Sequence, residues 1–322
     1  AESNLGLINA SGPGALSFNE FNRLFTGDGL SVQASGLAGG NKTLGGEAVV
    51  AGLYGMTSFS VGYTDFKTDG WRVNALQDDR IGNAFLQMDL SPQTSVQAEY
   101  RKRNTEVGDP LLRFFHEDVL PNFKETQERT TYRFGLRHAF EPNSIVLGSL
   151  IYQRAKVLQT DQPDDVFIQF DQEFPSLRST GVELQHLYRS DWVNLTSGIG
   201  GAGIKAPATV TVAFAPPFDF QNQSIQSEEG SKSSNAYVYA NLKASKDLTF
   251  TVGVSYDKFE PDNTVTNQKR EQVNPKFGVT WSPVAGTTLR AAAFRVLTRS
   301  LIAEQTVEPT QVAGFNQFYD DA

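Results

Sequence analysis

Leu248-Thr249-Phe250-Thr251-Val252-Gly253-Val254-Ser255-Tyr256-Asp257 alternates from end to end, with apolar Leu, Phe, Val, Val and Tyr on one parity and Thr, Thr, Gly, Ser and Asp on the other. Period two is the signature of a β-strand, whose successive side chains point to opposite faces. This strand therefore meets two different solvents. Working outward, Val273, Phe277, Val279 and Trp281 form a second apolar row downstream. Upstream, Val96, Ala98 and Tyr100 oppose Gln97, Glu99, Arg101 and Arg103, and Tyr132, Phe134, Leu136 and Phe140 oppose Thr131, Arg133, Gly135 and Arg137. His138 is the exception, falling on the apolar parity of its strand.

Short and long connections alternate between these segments. Ser91-Pro92-Gln93-Thr94, Glu141-Pro142-Asn143-Ser144, Ser190-Asp191, Ser245-Lys246-Asp247 and Ser282-Pro283-Val284-Ala285-Gly286 carry the residues that close tight turns. The long connections are expected over residues 67–79, 106–128, 156–178, 203–233 and 259–272, and they hold most of the acids and prolines. A compact soluble domain rarely keeps so many long loops, and a soluble sandwich turns every 8–12 residues or so. Tight turns at one end, long loops at the other and strands of about ten residues instead match a transmembrane β-barrel.

The fold expected is all-β: an antiparallel barrel of outer-membrane type, with roughly 14 strands in this chain, forming part of a larger barrel. Residues 1–29 are expected as a lead-in on the periplasmic side and 30–322 as barrel. Closure matters because hydrocarbon leaves unpaired backbone groups nothing to bond to. Tyr188, Trp192, Leu248 and Trp281 near the tight turns, and Tyr132 and Tyr256 near the loops, suit the girdles of such a wall.

Composition agrees by exclusion. Acids outnumber bases, 36 to 28, for a formal charge of -8, which disfavours a nucleic-acid partner. With no cysteine there is no disulfide framework, thiolate metal site or thiol nucleophile. No apolar run reaches the length of about 18 residues that a transmembrane helix needs.

Candidate chemistry is sparse. Gly198, Gly200 and Gly203 meet a G-x-G-x-x-G spacing, but a β-prone run, Thr209 to Val212, follows where a dinucleotide site needs a helix, so glycines at a barrel rim are expected instead. His116, His138 and His186 lie in a loop and two different strands, and neither a metal site, a cofactor nor an enzyme's catalytic constellation is expected. The acidic clusters Asp78-Asp79, Asp161 with Asp164-Asp165, and Glu228-Glu229 are expected in loops, where they can hold cationic cargo or bridge divalent ions to lipopolysaccharide. Glu99, Arg101, Arg103, Arg133 and Arg137 share the polar parity and are expected as pore-wall residues, pairing or lining water. Trp71, Phe114, Phe115, His116, Phe167, Phe170, Phe218 and Phe220 are the candidate ligand-binding residues of an extracellular vestibule.

Two stretches also carry a resemblance. Asn274-Pro275-Lys276-Phe277-Gly278-Val279-Thr280-Trp281-Ser282-Pro283, then Thr288-Leu289-Arg290-Ala291-Ala292-Ala293-Phe294-Arg295, then Glu308-Pro309-Thr310-Gln311, resemble the middle of the barrel in TonB-dependent outer-membrane receptors. Ser35-Gly36 to Gly46, Thr68-Asp69-Gly70, Asn83-Ala84-Phe85 and Tyr132 to Phe140 look like the subgroup linked to tetratricopeptide repeats. The resemblance implies a bacterial outer-membrane location and contact with outer-membrane lipid. It also implies a receptor or transporter for a small solute, working with the TonB energy-coupling system or a periplasmic tetratricopeptide partner. The alternative it leaves is a structural or export-linked platform without cargo. Family members carry a plug domain before a barrel of about 22 strands. Residues 1–29 are too short for such a plug, and the chain is expected to be incomplete at its C-terminus.

Overall fold

The computed structural model describes residues 28–110, 119–162, 168–215, 217–262, 269–297, 302 and 306–317. Thirteen strands form one antiparallel meander in which each bonds to the next in sequence. They are β1 (Gly29–Ala38), β2 (Leu44–Tyr54), β3 (Thr57–Thr68), β4 (Gln77–Asp89), β5 (Thr94–Val107), β6 (Lys124–Glu141), β7 (Ser144–Asp161), β8 (Ile168–Arg189), β9 (Val193–Phe214), β10 (Gln223–Lys243), β11 (Leu248–Pro261), β12 (Arg270–Val284) and β13 (Thr287–Phe294). A separate hairpin, β14 (Gln311–Val312) with β15 (Phe315–Asn316), completes the strands described. No helix is long and apolar enough to cross a membrane, a statement without bearing on strands. The expectation of roughly 14 strands agrees with this architecture.

The two faces are reversed relative to a water-soluble protein. The largest fully buried side chains are Lys276, Glu308, Val312, Asn274, Asp79, Asp257, Ser60 and Ser255, of which only one is apolar. Phe250, Val252, Val254 and Tyr256 are exposed in a row on β11, as are Phe134 and Leu136 on β6 and Val182 and Leu184 on β8. Alternation thus sends Val, Leu and aromatic residues outward and Ser, Asn, Gln and charges inward. In water that outer face would exceed the apolar patch a soluble monomer tolerates, whereas against lipid it is matched.

Tight turns recur along one end, and three of them use the same device. Ser91 Oγ accepts the N–H of Thr94 at 3.0 Å, Ser190 Oγ that of Val193 at 3.2 Å and Ser245 Oγ that of Asp247 at 3.3 Å. Each serine satisfies a donor that the reversing chain would otherwise leave unpaired. His138 lies on the outer parity beside this end, where its Nδ1 is 2.8 Å from Thr94 Oγ1 and its ring meets Phe140 edge-on. A polar partner at the interface explains its place in an apolar row.

At the other end the strands run much further than their alternation predicts. β8 and β9 run 22 residues each and β10 runs 21, so much of 156–178 and 203–233 is strand rather than connection. Gln223, Ile225 and Glu228 pair with Val212, Val210 and Pro207 in an extension well beyond the reach of about ten residues that lipid requires. Mixed polarity hid it, because a ribbon wet on both faces loses the two-solvent alternation. Pro175, without an N–H, sits within the one irregular stretch of the β8–β9 register, between Glu173 and Arg178.

After β13 the chain turns back into the concave side of the sheet. Thr306 Oγ1 donates to Glu183 Oε1 and the Val307 N–H to Glu183 Oε2, while Gln185 Nε2 donates to the Val307 carbonyl. Glu308 accepts from Tyr239 Oη at 2.7 Å and Asn235 Nδ2 at 2.8 Å. Gln317 Nε2 donates to Tyr239 Oη at 3.3 Å and to the Pro309 carbonyl at 2.7 Å. Glu308-Pro309-Thr310-Gln311, which resembles a strand start, therefore leads into a hairpin packed on the inner wall, with Val312 fully buried beside Tyr237 and Tyr239. Ala313 (φ 49°) and Gly314 (φ 88°) make its two-residue turn. Left-handed backbone at both central positions is the geometry that follows strand twist most closely, with alanine an unusual occupant of the first.

If the outer face meets lipid, Val254→Arg costs about 2–4 kcal/mol near the bilayer midplane, read as a lowered urea midpoint for vesicle-inserted protein. Ser233→Arg, facing inward on β10, leaves that midpoint within error; equal effects would refute the assignment of faces.

Candidate functional site

The inner wall of β4–β6 is an ion-paired surface. Arg103 reaches diagonally across the β4–β5 ladder to Asp79: Nη2 is 2.5 Å and Nε 3.0 Å from the Asp79 carboxylate, and Asp79 is wholly buried. Arg133 Nη1 donates to Glu99 Oε2 at 3.1 Å. The fork of two guanidinium nitrogens on one carboxylate fixes both side chains. Arg101 and Arg137 share this inward parity and are partly exposed. All five expected pore-wall residues thus face inward, and three of them, Glu99, Arg103 and Arg133, are held in ion pairs. Asp79, expected in a loop, belongs to β4, where it shares the inward parity of Ile81 and Asn83.

Long polar side chains also lie across glycines of the neighbouring strand. Gln97 covers Gly135, so that a β-carbon there would sit 2.7 Å from Gln97 Cγ, and Tyr237 covers Gly198, where it would sit 2.4 Å from Tyr237 Oη. Gly198 and Gly200 are therefore mid-strand positions on β9, neither a phosphate cradle nor a rim. The absence of a side chain lets the neighbour lie flat on the wall.

On the loop end, the β3–β4 and β5–β6 connections are welded together. Asn74, at φ 54°, donates from Nδ2 to the carbonyls of Leu120 (2.7 Å) and Phe123 (2.8 Å), and its own carbonyl accepts the Asp109 N–H. Asp109 Oδ2 accepts the Leu120 N–H at 2.9 Å and lies 3.2 Å from Arg72 Nη2. Arg72 stacks over Trp71, 4.9 Å from the ring centroid, leaving Trp71 exposed. Asn, Asp and Arg spaced this way in a loop were the signal available, although nothing in the sequence paired them.

The expected vestibule is only partly described. Phe114, Phe115, His116 and Phe167, with Asp164 and Asp165, lie outside the described residues. Phe170 begins β8, exposed; Phe218 and Phe220 lie on and beside a 3-10 turn, Asp219–Gln221, between β9 and β10, both exposed. Phe170 pairs with Val212, which also pairs with Gln223, so these rings belong to one extended ribbon, separate in sequence from Trp71. Glu228 lies on that ribbon in β10 rather than in a loop. No group of His, Cys, Asp and Glu fit to hold a metal occurs among the described residues.

Two exposed charge pairs outside the lipid-spanning part have shifted titration. The hydrogen bond from Lys42 to Asp69 and their attraction raise the lysine's pKa. Hydrogen bonds from Lys258 and Lys269 to Glu260 hold its carboxyl below its ordinary value. Both pairs are solvated and contribute little to stability.

Removing Arg103 by Arg103→Ala strands a buried carboxylate and costs about 3–5 kcal/mol, measured by denaturant unfolding in detergent. Adding Asp79→Ala recovers much of that loss; a double variant no better than the single one would show that the pair is not coupled.

A protein-family model described as TonB dependent receptor-like, beta-barrel, matches residues 18–319. No protein of curated function matches the sequence. Among solved structures, the copper transporter OprC superposes with a TM-score of 0.69 at 14% identity, covering 82% of this chain and 44% of its own. The siderophore receptor PiuA from Acinetobacter baumannii gives 0.61 at 12%, covering 81% and 48%. The ferripyoverdine receptor of the outer membrane of Pseudomonas aeruginosa gives 0.62 at 12%, covering 82% and 41%. At these identities the structural likeness bears on fold, and the chain spans less than half the length of each. With the family model matched over nearly its whole length, the chain belongs to the TonB-dependent receptor family, in its β-barrel part.

Proposed function

We propose that the chain is part of the wall of a bacterial outer-membrane receptor that takes a small solute from its loop end and passes it inward. The observation that carries this reading is the reversal of faces: an apolar exterior around an interior of buried ion pairs and polar side chains, the form of a wall between lipid and a water-filled or plugged lumen. Metal ions and metal chelates are the cargo class we favour, because the structurally similar receptors are named for copper and for siderophores. Trp71, on the welded loops, and Phe170, Phe218 and Phe220, on the extended ribbon, supply flat apolar surface for such a ligand; Phe114, Phe115, His116 and Phe167 complete the proposed vestibule. Arg101 and Arg137 line the path below it. Energy would come from the TonB system, acting on parts of the receptor outside this stretch of wall. A tetratricopeptide partner belongs to the rival platform reading.

Orientation is set by hairpin length, since outer-membrane barrels keep short turns in the periplasm and longer connections outside. On whole cells, an impermeant thiol reagent labels Glu228→Cys and spares Lys246→Cys; the opposite pattern inverts the receptor.

Of the three tryptophans, Trp192 and Trp281 stand near the tight turns and Trp71 alone near the loops. A ferric chelate that binds the vestibule quenches the fluorescence of Trp71, and Trp71→Phe abolishes that part of the quench. If no chelate in a panel of ferric siderophores or copper complexes changes the spectrum, or if the quench survives in the variant, the vestibule is refuted and the platform reading moves ahead.

A further inference from the structure

On the outer face of β5–β7, Tyr100, Tyr132 and Tyr152 stand side by side in register, with ring centroids 5.4 and 6.4 Å apart. A row of tyrosines on the lipid side is the girdle at the boundary between hydrocarbon and headgroups. Two residues nearer the loop end, the same face changes character within one step, about 7 Å along the strand. The positions in register there are Lys102, Thr130, Arg154 and Arg178, on β5 to β8. Lys102, Arg154 and Arg178 are all exposed. With Lys205 of β9, opposite Arg178 and also exposed, this rung carries four cations and no acid.

Arg154 and Arg178 are directly opposite each other across β7 and β8. Like charges at opposed positions destabilise a strand pair, and neither arginine, nor Lys102, makes an ion pair or hydrogen bond among the described residues. Two guanidinium groups close by on the same wall are matched: Arg80, one rung higher, is 2.8 Å from Asp78 and 3.6 Å from Asp65, and Arg103, on the inner face, holds Asp79. The unmatched Lys102, Arg154 and Arg178 share the rung that borders the girdle. On the outward side of a membrane wall, the anion that lies at this height is a lipid phosphate.

We propose that Lys102, Arg154 and Arg178, with Lys156 on the rung above, form a docking site for the phosphorylated headgroup of an outer-leaflet glycolipid. Guanidinium groups take phosphate through paired N–H donors, and the tyrosine row beneath accepts the first carbons of the acyl chains. The occupant is a lipid rather than free phosphate because the cations project from the lipid-facing side, directly above the girdle. The proposal rests on the orientation given above, in which the loop end faces outward.

The test uses the protein purified from its native membrane, with lipid A as probe. Native mass spectrometry from detergent shows lipid A retained on the wild type, and Lys102→Gln/Arg154→Gln/Arg178→Gln weakens retention by more than about tenfold, as the loss of several charge-assisted contacts requires. Lys232→Gln/Lys258→Gln, which removes outer-face cations on β10 and β11, leaves it unchanged. Gel mobility before and after heating establishes that each variant is folded. Undiminished binding by the folded triple variant, or equal retention of phosphatidylcholine, overturns the proposal; so does full displacement by inorganic phosphate, which would identify an anion site without lipid. If the triple variant instead fails to fold, single Arg154→Gln and Arg178→Gln replace it. Relief of the opposed charges makes each at least as stable as the wild type in lipid-free detergent, and lower stability there overturns the proposal. Thiol labelling at Glu228→Cys reads orientation separately: reversed labelling together with intact lipid A binding refutes the orientation and leaves the cationic site standing.

Discussion

A peptide N–H or C=O in hydrocarbon has only another peptide group to bond to, and every other feature of this wall follows from that restriction. It commits the backbone to a continuous ladder from β1 to β13, each strand paired with its sequence neighbour. Once the ladder is fixed, side chains have two choices of direction and no others. Selection by solvent then sorts Val252 and Val254 outward and Thr251 and Ser255 inward. The same restriction does not reach beyond the bilayer, where β8, β9 and β10 continue in water with mixed faces.

The interior is held by polar contacts that would be expensive if left incomplete. Arg103 with Asp79, Arg133 with Glu99, and Asn274 with Asp257 are short-range pairs between neighbouring strands, and Ser255 adds a second donor to Asp257 from the same strand. Burying one such group without its partner costs more than the pair contributes, so these contacts specify register as much as they add stability. A slip of one residue would turn Asp79 and Arg103 toward lipid. Packing inside is achieved by laying long side chains over glycines, as Gln97 does over Gly135, instead of by interdigitating apolar groups.

How much of this can be read from sequence depends on how many solvents a segment touches. β5, β6 and β11 border both lipid and lumen, and their alternation places Glu99, Arg101, Arg103, Arg133 and Arg137 on the inner face without further information. Asp79 is hard to place because it is next to Asp78 in a stretch rich in charge, where parity is obscured until Arg103 is seen diagonally across the ladder. The ribbon of β8 to β10 was misjudged because two wet faces produce no alternation. Glu308 could not be located at all: its partners Asn235 and Tyr239 are 73 and 69 residues away, and the pattern around it matches a strand start. Local pattern carries the wall, whereas the contents of the lumen depend on distant contacts.

Those distances bear on the order in which the molecule assembles. Strand pairing in a meander joins sequence neighbours and can advance hairpin by hairpin, but Thr306 and Val307 meet Glu183 across separations of 123 and 124 residues. Contacts that close loops of such length carry an entropic cost that is recovered only when their receiving surface already exists. The surface for residues 306–308 is made by β8, which holds Thr306 and Val307, and β10, which holds Glu308, and that for Val312 and Ala313 by β10 and β12. The inward hairpin is thus the last part to settle, a late event whose rate reports on the finished curvature of the wall rather than on any single strand.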